Sequence, residues 1–373
     1  MSTLTSDVSL LDHHCHPVVE EELDRPRFEG MLSESYHPGA AGPSAFDSAL
    51  GLAVQRWCAP VLDLEPHAGP DEYIERRAEL GAAEVSRRML GGTGVSRLLI
   101  DSGIFETGMI GLEAMGERAG VPVGEVVRIE RVMADVVDAG PPPGELPEAF
   151  RSELVARSRD AAGLKSIAAY RGGLELADPP SPDAVAAAAR TWDAGSGGRV
   201  EDPSLLRLGV DVAGDVAAER GLPIQFHTGF GDPDLILHRS DPSLLTPVIE
   251  RMRARGVTVT LLHCWPYVRQ AAHLAAMFPN VYMDVGLAIP HTGGAGAVRV
   301  LAEAMELVPF GKLLYSSDAY ALAELYYLGA VLFRRALGRV LDDWIADGEV
   351  TAARSEAIVG AVAGGNAERI YPL

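Results

Sequence analysis

Residues 12–17 read Asp-His-His-Cys-His-Pro, directly after the apolar run Val8-Ser9-Leu10-Leu11. Three histidines, an aspartate and a cysteine in six positions are good metal ligands, placed at what reads as the exit of a buried strand. Residues i and i+2 of a strand share a face, so His14 and His16 can aim both imidazoles at one point, with His13 and Cys15 turned away. Four more side chains that can do chemistry follow or sit in apolar runs of their own: Lys165 in LKSIAAY, His227 after LPIQF, His263 after VTVTLL and Asp318 after KLLYSS. Imidazole and carboxylate together suit Zn²⁺ and other borderline first-row divalent ions, one or two of them. A catalytic ion keeps a position open for water and lowers that water's pKa towards neutrality. Asp318 would then accept the water's proton or bind the ion.

Such residues need elements that bring them together. Eight apolar runs read as strands: Val8–Leu11, Val95–Ile100, Glu125–Ile129, Leu164–Ala169, Leu222–Phe226, Val257–Leu262, Val281–Val285 and Leu313–Ser317. They lack period-2 alternation, as strands buried on both faces do. Helical stretches lie between them, at Asp71–Leu90, Pro182–Asp193, Pro203–Arg220, Pro242–Arg255, Pro266–Phe278 and Gly296–Leu307, several beginning at or just after a proline. Strand–helix alternation of this kind predicts parallel βα units and a (β/α)8 TIM barrel, whose strand ends converge on one rim. Residues 20–70 read as a β1–α1 insertion that caps the site. AGPPPGELP at 139–147 reads as a rigid loop between the third strand and its helix, and 340–373 as a helical C-terminal extension of one single barrel domain.

Composition narrows the partners. A net charge of −20 without a Lys/Arg run argues against nucleic acid and against an anionic membrane. Three cysteines, Cys15, Cys58 and Cys264, make no disulfide framework. There is no secretory signal pattern and no stretch of ~20 apolar residues. The expectation is a cytoplasmic protein with a small-molecule substrate; a homo-oligomer is compatible with such barrels, and no sequence feature establishes one.

The ordered set His14, His16, His227, His263 and Asp318 resembles the amidohydrolase superfamily, over residues 8 to about 320. LKSIAAYRGGLEL, QFHTGFGDPD, LLHCWP and YSSDAY are similar to the amidohydrolase-like domain that some proteins fuse to a glutamine-synthetase-like domain; here the chain looks like the stand-alone form. The resemblance implies one of two site styles. In the two-ion style Lys165 is carboxylated and bridges the ions, with His227 and His263 as ligands of the second. In the one-ion style His14, His16, His227 and Asp318 hold one ion and His263 polarises the substrate or bound water. The activity implied is metal-dependent hydrolysis of a C–N, amide-type bond in a small carboxylate-bearing substrate. Tyr170 and Arg171 would line the rim, with Arg171 reading the carboxylate in bidentate fashion. Some one-ion relatives are non-oxidative decarboxylases of unsaturated or aromatic acids, so a lyase is the alternative; a non-catalytic ligand-binding barrel is the second.

Each residue also has an ordinary explanation. His227 and His263 could be satisfied core histidines, and Asp318 a helix N-cap. Lys165 could pair with Glu130, and Arg171 could join two loops by an ion pair. Asp101, Glu130, Trp265 and Tyr320 are further rim candidates. His37, His67, His238, His273 and His291 are scattered and carry no assignment.

Overall fold

A computed structural model describes residues 2–37, 39–104, 106–192 and 199–373. Seven strands form one sheet in chain order: β1 Leu10–Cys15, β2 Val95–Asp101, β3 Val123–Arg128, β4 Gly163–Ser166, β5 Ile224–His227, β6 Val259–Leu262 and β7 Val281–Met283. β1 runs parallel to β2, and β3 through β7 each run parallel to the next. β1, β4, β5 and β6 are buried at every position, which explains why they show no period-2 polar alternation. Helices follow the strands, so the architecture is α/β.

The chain divides into two compact units. The first comprises Met1–Gly124, Gly231–Pro233 and Val285–Ala367. It contains β1, β2, the helices of residues 25–91 and the helix Ala323–Ala346. That helix is anchored at its first turn. Buried Glu324 accepts from Arg77 Nε at 2.6 Å and from the Tyr73 hydroxyl at 3.0 Å. A carboxylate at a helix N-terminus also suits the helix dipole. The second unit comprises Glu125–Phe230, Asp234–Asp284 and Glu368–Leu373, with β4 to β7 and most of β3.

The expected eighth strand is not a regular strand. Among the described residues, Leu313–Ser317 is irregular chain, yet it runs beside β1. His13 N donates to Tyr315 O (3.2 Å), Asp318 N to His14 O (3.1 Å) and His16 N to Ala319 O (2.8 Å). Ser317 N instead donates to the Asp12 side chain at 3.0 Å, which takes the place of a ladder carbonyl. Asp318 and Ala321 then turn into the left-handed region, at φ 49° and 60°, and beyond Asp318 the pairing is reduced to an isolated parallel bridge of Ala321 with Val18.

Other boundaries moved for local reasons. β1 runs on through Asp12–Cys15, so the ligand-rich motif lies mostly within the strand, with His16 and Pro17 just past its end. Asp71–Leu90 is two helices, Pro70–Leu80 and Ala82–Gly91, broken at Gly81 with φ 79°. A helix, Ile129–Asp138, starts directly after β3. The proline-rich loop therefore joins that helix to the next, Leu146–Arg157, rather than joining strand to helix. Pro203–Arg220 is a helix as expected, and Pro182 opens a helix ending at Thr191; Asp193, the expected end, lies outside the described residues. The tail is helical at Ala323–Ala346, Ala352–Gly360 and Asn366–Ile370. No helix of the described residues is long and apolar enough to cross a membrane.

Candidate metal centre

β1 delivers His14 and, one residue past its end, His16; the segment beside it delivers Asp318. His14 Nε2 stands 3.1 Å from Asp318 Oδ1, and His16 Nε2 stands 3.5 Å from the same oxygen. The two imidazoles meet edge to face, with centroids 5.0 Å apart. Ligand atoms of the three side chains all lie within 4.8 Å of one another, and among the described residues no other group of three His, Cys, Asp or Glu does this. All three side chains are less than a tenth exposed.

The donor chemistry fits a divalent ion. His16 Nδ1 lies 3.3 Å from the backbone carbonyl of Asp101. A carbonyl only accepts, so Nδ1 is the donor there and Nε2 is the nitrogen turned towards Asp318. With Nε2 of His14 turned to the same carboxylate oxygen, the three side chains form a set that one divalent ion can bridge. Two imidazoles and a carboxylate are also the ligand types that zinc and its neighbours take.

Supporting contacts hold these ligands. Asp12 lies two residues before His14, fully buried, and the sequence reading gave it no role. Its carboxylate accepts from Ser317 Oγ (2.5 Å), Ser317 N (3.0 Å) and His14 N (3.4 Å). It thereby ties the backbone of one ligand to the residue before another. Burial pushes Asp12 up to about 7, against the pull of those donors. The Tyr326 hydroxyl donates to the His16 carbonyl. The i−2 periodicity that paired His14 with His16 also pointed to Asp12 and was the available signal.

Two more residues of the same unit went unassigned in sequence. Glu34, in the insertion, stands 3.7 Å from His291 Nε2, while His291 Nδ1 bonds the Leu287 carbonyl at 3.0 Å. Burial, with the Asp318 and Asp232 charges adding, pushes Glu34 up to about 8. Burial lowers His291, while the Leu287 carbonyl and Asp318 work the other way. Nothing in the spacing of Glu34 or His291 marks them, because their proximity is purely tertiary.

The second unit gathers the remaining sequence candidates. His227 and His263 rings lie 4.7 Å apart, and Tyr170 lies 4.3 Å from His227. His227 Nε2 is 3.1 Å from the Phe230 carbonyl. His263 sits just past β6 at φ 68°, a left-handed backbone held by an N–H bond to Asp284 Oδ1 at 2.9 Å. Lys165 is buried on β4, level with Gln225 on β5. His227 is two residues further on, so Lys165 lies one layer beneath it, about 6.6 Å along the strand direction.

The suggested Lys165–Glu130 pair is not among the contacts Glu130 makes here. Glu130 accepts from the Ser166 hydroxyl at 2.6 Å, and burial raises its pKa. Ser166 and Lys165 are neighbours on one strand and point to opposite faces, which separates Lys165 from that acid. Arg171 stands 3.6 Å from Asp234, which also bonds Arg199. This is the loop-to-loop ion pair, and burial lowers the Arg171 pKa. Cys15 and Cys264 are fully buried, with thiols on the Leu99 and Leu261 carbonyls.

A family model described as amidohydrolase (Amidohydro_2) matches residues 148–373. Protein fluG of Emericella nidulans is 29% identical over 98% of this chain, and the chain spans about half (46%) of that protein's length. A crystal structure from Lactobacillus casei ATCC 334, of a protein named by inference a metal-dependent hydrolase, superposes with TM-score 0.85 at 29% identity. It covers 99% of this chain and 96% of the other. Uronate isomerase of Thermotoga maritima shares the fold at TM-score 0.66 and 15% identity, over 99% and 95% of the two chains. With more than half its length matched by the family's own model, the chain belongs to the amidohydrolase family.

Proposed function

We propose that the protein is a metal-dependent hydrolase that cleaves an amide-type C–N bond in a small carboxylate-bearing molecule. The observation that carries this reading is the convergence of His14, His16 and Asp318 in a buried cluster at the end of β1. A divalent ion, zinc by ligand type, would be held by these three and would supply Lewis acidity and a more acidic water. Asp318 has a carboxylate oxygen beside both imidazoles, so it is the group that takes the nucleophile's proton and later returns it to the leaving amine. The Nδ1 bond of His16 to the Asp101 carbonyl orients its ring so that Nε2 turns to the ion. Asp12 holds the His14 and Ser317 backbones in register while this happens.

The proposal extends to the second unit from the order of the motifs alone. His227 is a further ligand, His263 polarises the scissile carbonyl, and Tyr170 and Arg171 receive the substrate. One ion is preferred over two because one converging group of three is present among the described residues. Lys165 as a carboxylated bridge belongs to the two-ion alternative.

The test is metal content by mass spectrometry on protein purified without chelator, followed by a panel of N-acyl amino acids and cyclic amides. One ion per chain and release of amine or ammonia support the reading. Carbon dioxide from a panel of unsaturated and aromatic acids, with no amide cleavage, would replace it with the lyase. Metal-free protein with intact fold and no turnover on either panel would leave a binding barrel.

A further inference from the structure

Segment Val54–Cys58 and the helices Gly293–Met305 and Ala323–Ala346, all in the first unit, line a cavity of about 560 Å³. None of its lining residues belongs to the metal cluster. Three arginines surround it, Arg56, Arg335 and Arg339, together with Trp57. Arg56 lies 4.8 Å from the Trp57 ring centroid and Arg335 lies 5.9 Å from it, both within cation–π range.

Net charge is −20, and many arginines have a carboxylate partner; Arg76, Arg77, Arg87 and Arg88 are examples in the same unit. Among the described residues, Arg56, Arg335 and Arg339 have no ion pair with any acid. Three unneutralised guanidinium groups at one cavity repel each other and favour an anion, which planar forks bind in bidentate fashion. The rest of the wall is small and apolar, with Gly294, Ala295 and Val298. A Cβ built on Gly294 meets nothing within 4 Å, so the wall there leaves open space. The volume falls in the range of small-molecule sites.

We propose that this cavity is a second binding site, for a small aromatic carboxylate. Its carboxylate lies among the guanidinium groups of Arg56, Arg335 and Arg339, and its ring lies against Gly294, Ala295 and Val298. The site is separate from the reaction proposed above and does not depend on it.

The experiment titrates the full-length protein with benzoate by calorimetry, beside uncharged benzamide and inorganic phosphate. Benzoate is expected to bind, benzamide to bind at least about tenfold more weakly, and phosphate to bind without the apolar contribution. Raising salt should weaken benzoate binding, since the guanidinium groups are partly exposed. The double variant Arg335→Ala/Arg339→Ala should lose at least about tenfold in affinity. Gly294→Leu fills the cavity, removes no charge and favours the helix, so it should abolish binding while the unfolding temperature holds or rises. His14→Ala should keep benzoate binding, which separates this site from the metal cluster. The idea fails if benzamide binds as tightly as benzoate, or if Gly294→Leu keeps native affinity. It also fails if binding disappears in His14→Ala, or if no heat appears up to about 10 mM benzoate.

Discussion

His14 and His16 face a shared carboxylate; His227 and His263 face each other and a tyrosine ring. Both pairs come from strand ends and read alike in sequence, as histidines after apolar runs. Their surroundings divide the labour. The first pair has the charge and the lone-pair geometry for a cation. The second has an aromatic wall, a backbone carbonyl and, on Arg171 nearby in sequence, a cation already engaged by Asp234. Residue type proposes a ligand, and the carboxylate opposite the first pair completes a set of three.

The largest effect that can break this contrast is loss of the ion. His14→Ala and Asp318→Asn should each lower metal affinity by more than the 10–100-fold that removal of a merely supporting residue costs, and turnover should fall by about 10²–10⁴. Metal content and kcat of the purified variants check it, and retention of metal in both would dissolve the distinction. His227→Ala comes next. As a further ligand it should also lose metal; loss of turnover with metal retained would confine ion binding to the first unit. Arg171→Ala should raise KM for carboxylate substrates by about tenfold with a smaller change in kcat, measured against the matching amide. Unchanged KM would leave Arg171 as the loop tie to Asp234.

A smaller effect concerns Glu34. Its folded-state pKa of about 8 exceeds the ordinary 4.5, so the folded chain holds this proton more tightly than the unfolded one. The stability this group contributes is fully present below about pH 4.5 and is lost as pH rises through about 8. Glu34→Gln should therefore gain unfolding temperature relative to the parent between pH 5 and 8.5, as approximate bounds of the scan. Parallel curves would remove Glu34 from the acidic surroundings of Asp318. Least of all, Cys15→Ala should keep its metal and cost about 1 kcal/mol of stability in a denaturant titration.

Much of this was legible beforehand, and the reasons differ by residue. His14, His16 and Asp318 were readable because strand alternation and strand order are local rules. Seven of eight strands were readable because buried parallel strands carry continuous apolar runs. The eighth was not, since its irregularity comes from Ser317 turning its N–H to Asp12, a contact 305 residues apart in the chain. Asp12 itself obeyed the alternation rule but follows directly on Leu10 and Leu11, where a carboxylate looks like a strand-end signal. Glu34 and His291 had no local pattern at all. The helix after β3 was hidden because its first residue, Ile129, reads as the last apolar residue of the strand.

Asp318 occupies a left-handed backbone at φ 49°. Few side chains tolerate that conformation, and asparagine and aspartate do so most readily after glycine. An alanine scan at this position would therefore mix two losses, a chemical one and a conformational one. Asparagine keeps the turn and deletes only the negative charge, whereas glycine keeps the turn and deletes the whole side chain. Measured together, that pair of replacements separates what the carboxylate does from what its place in the chain demands.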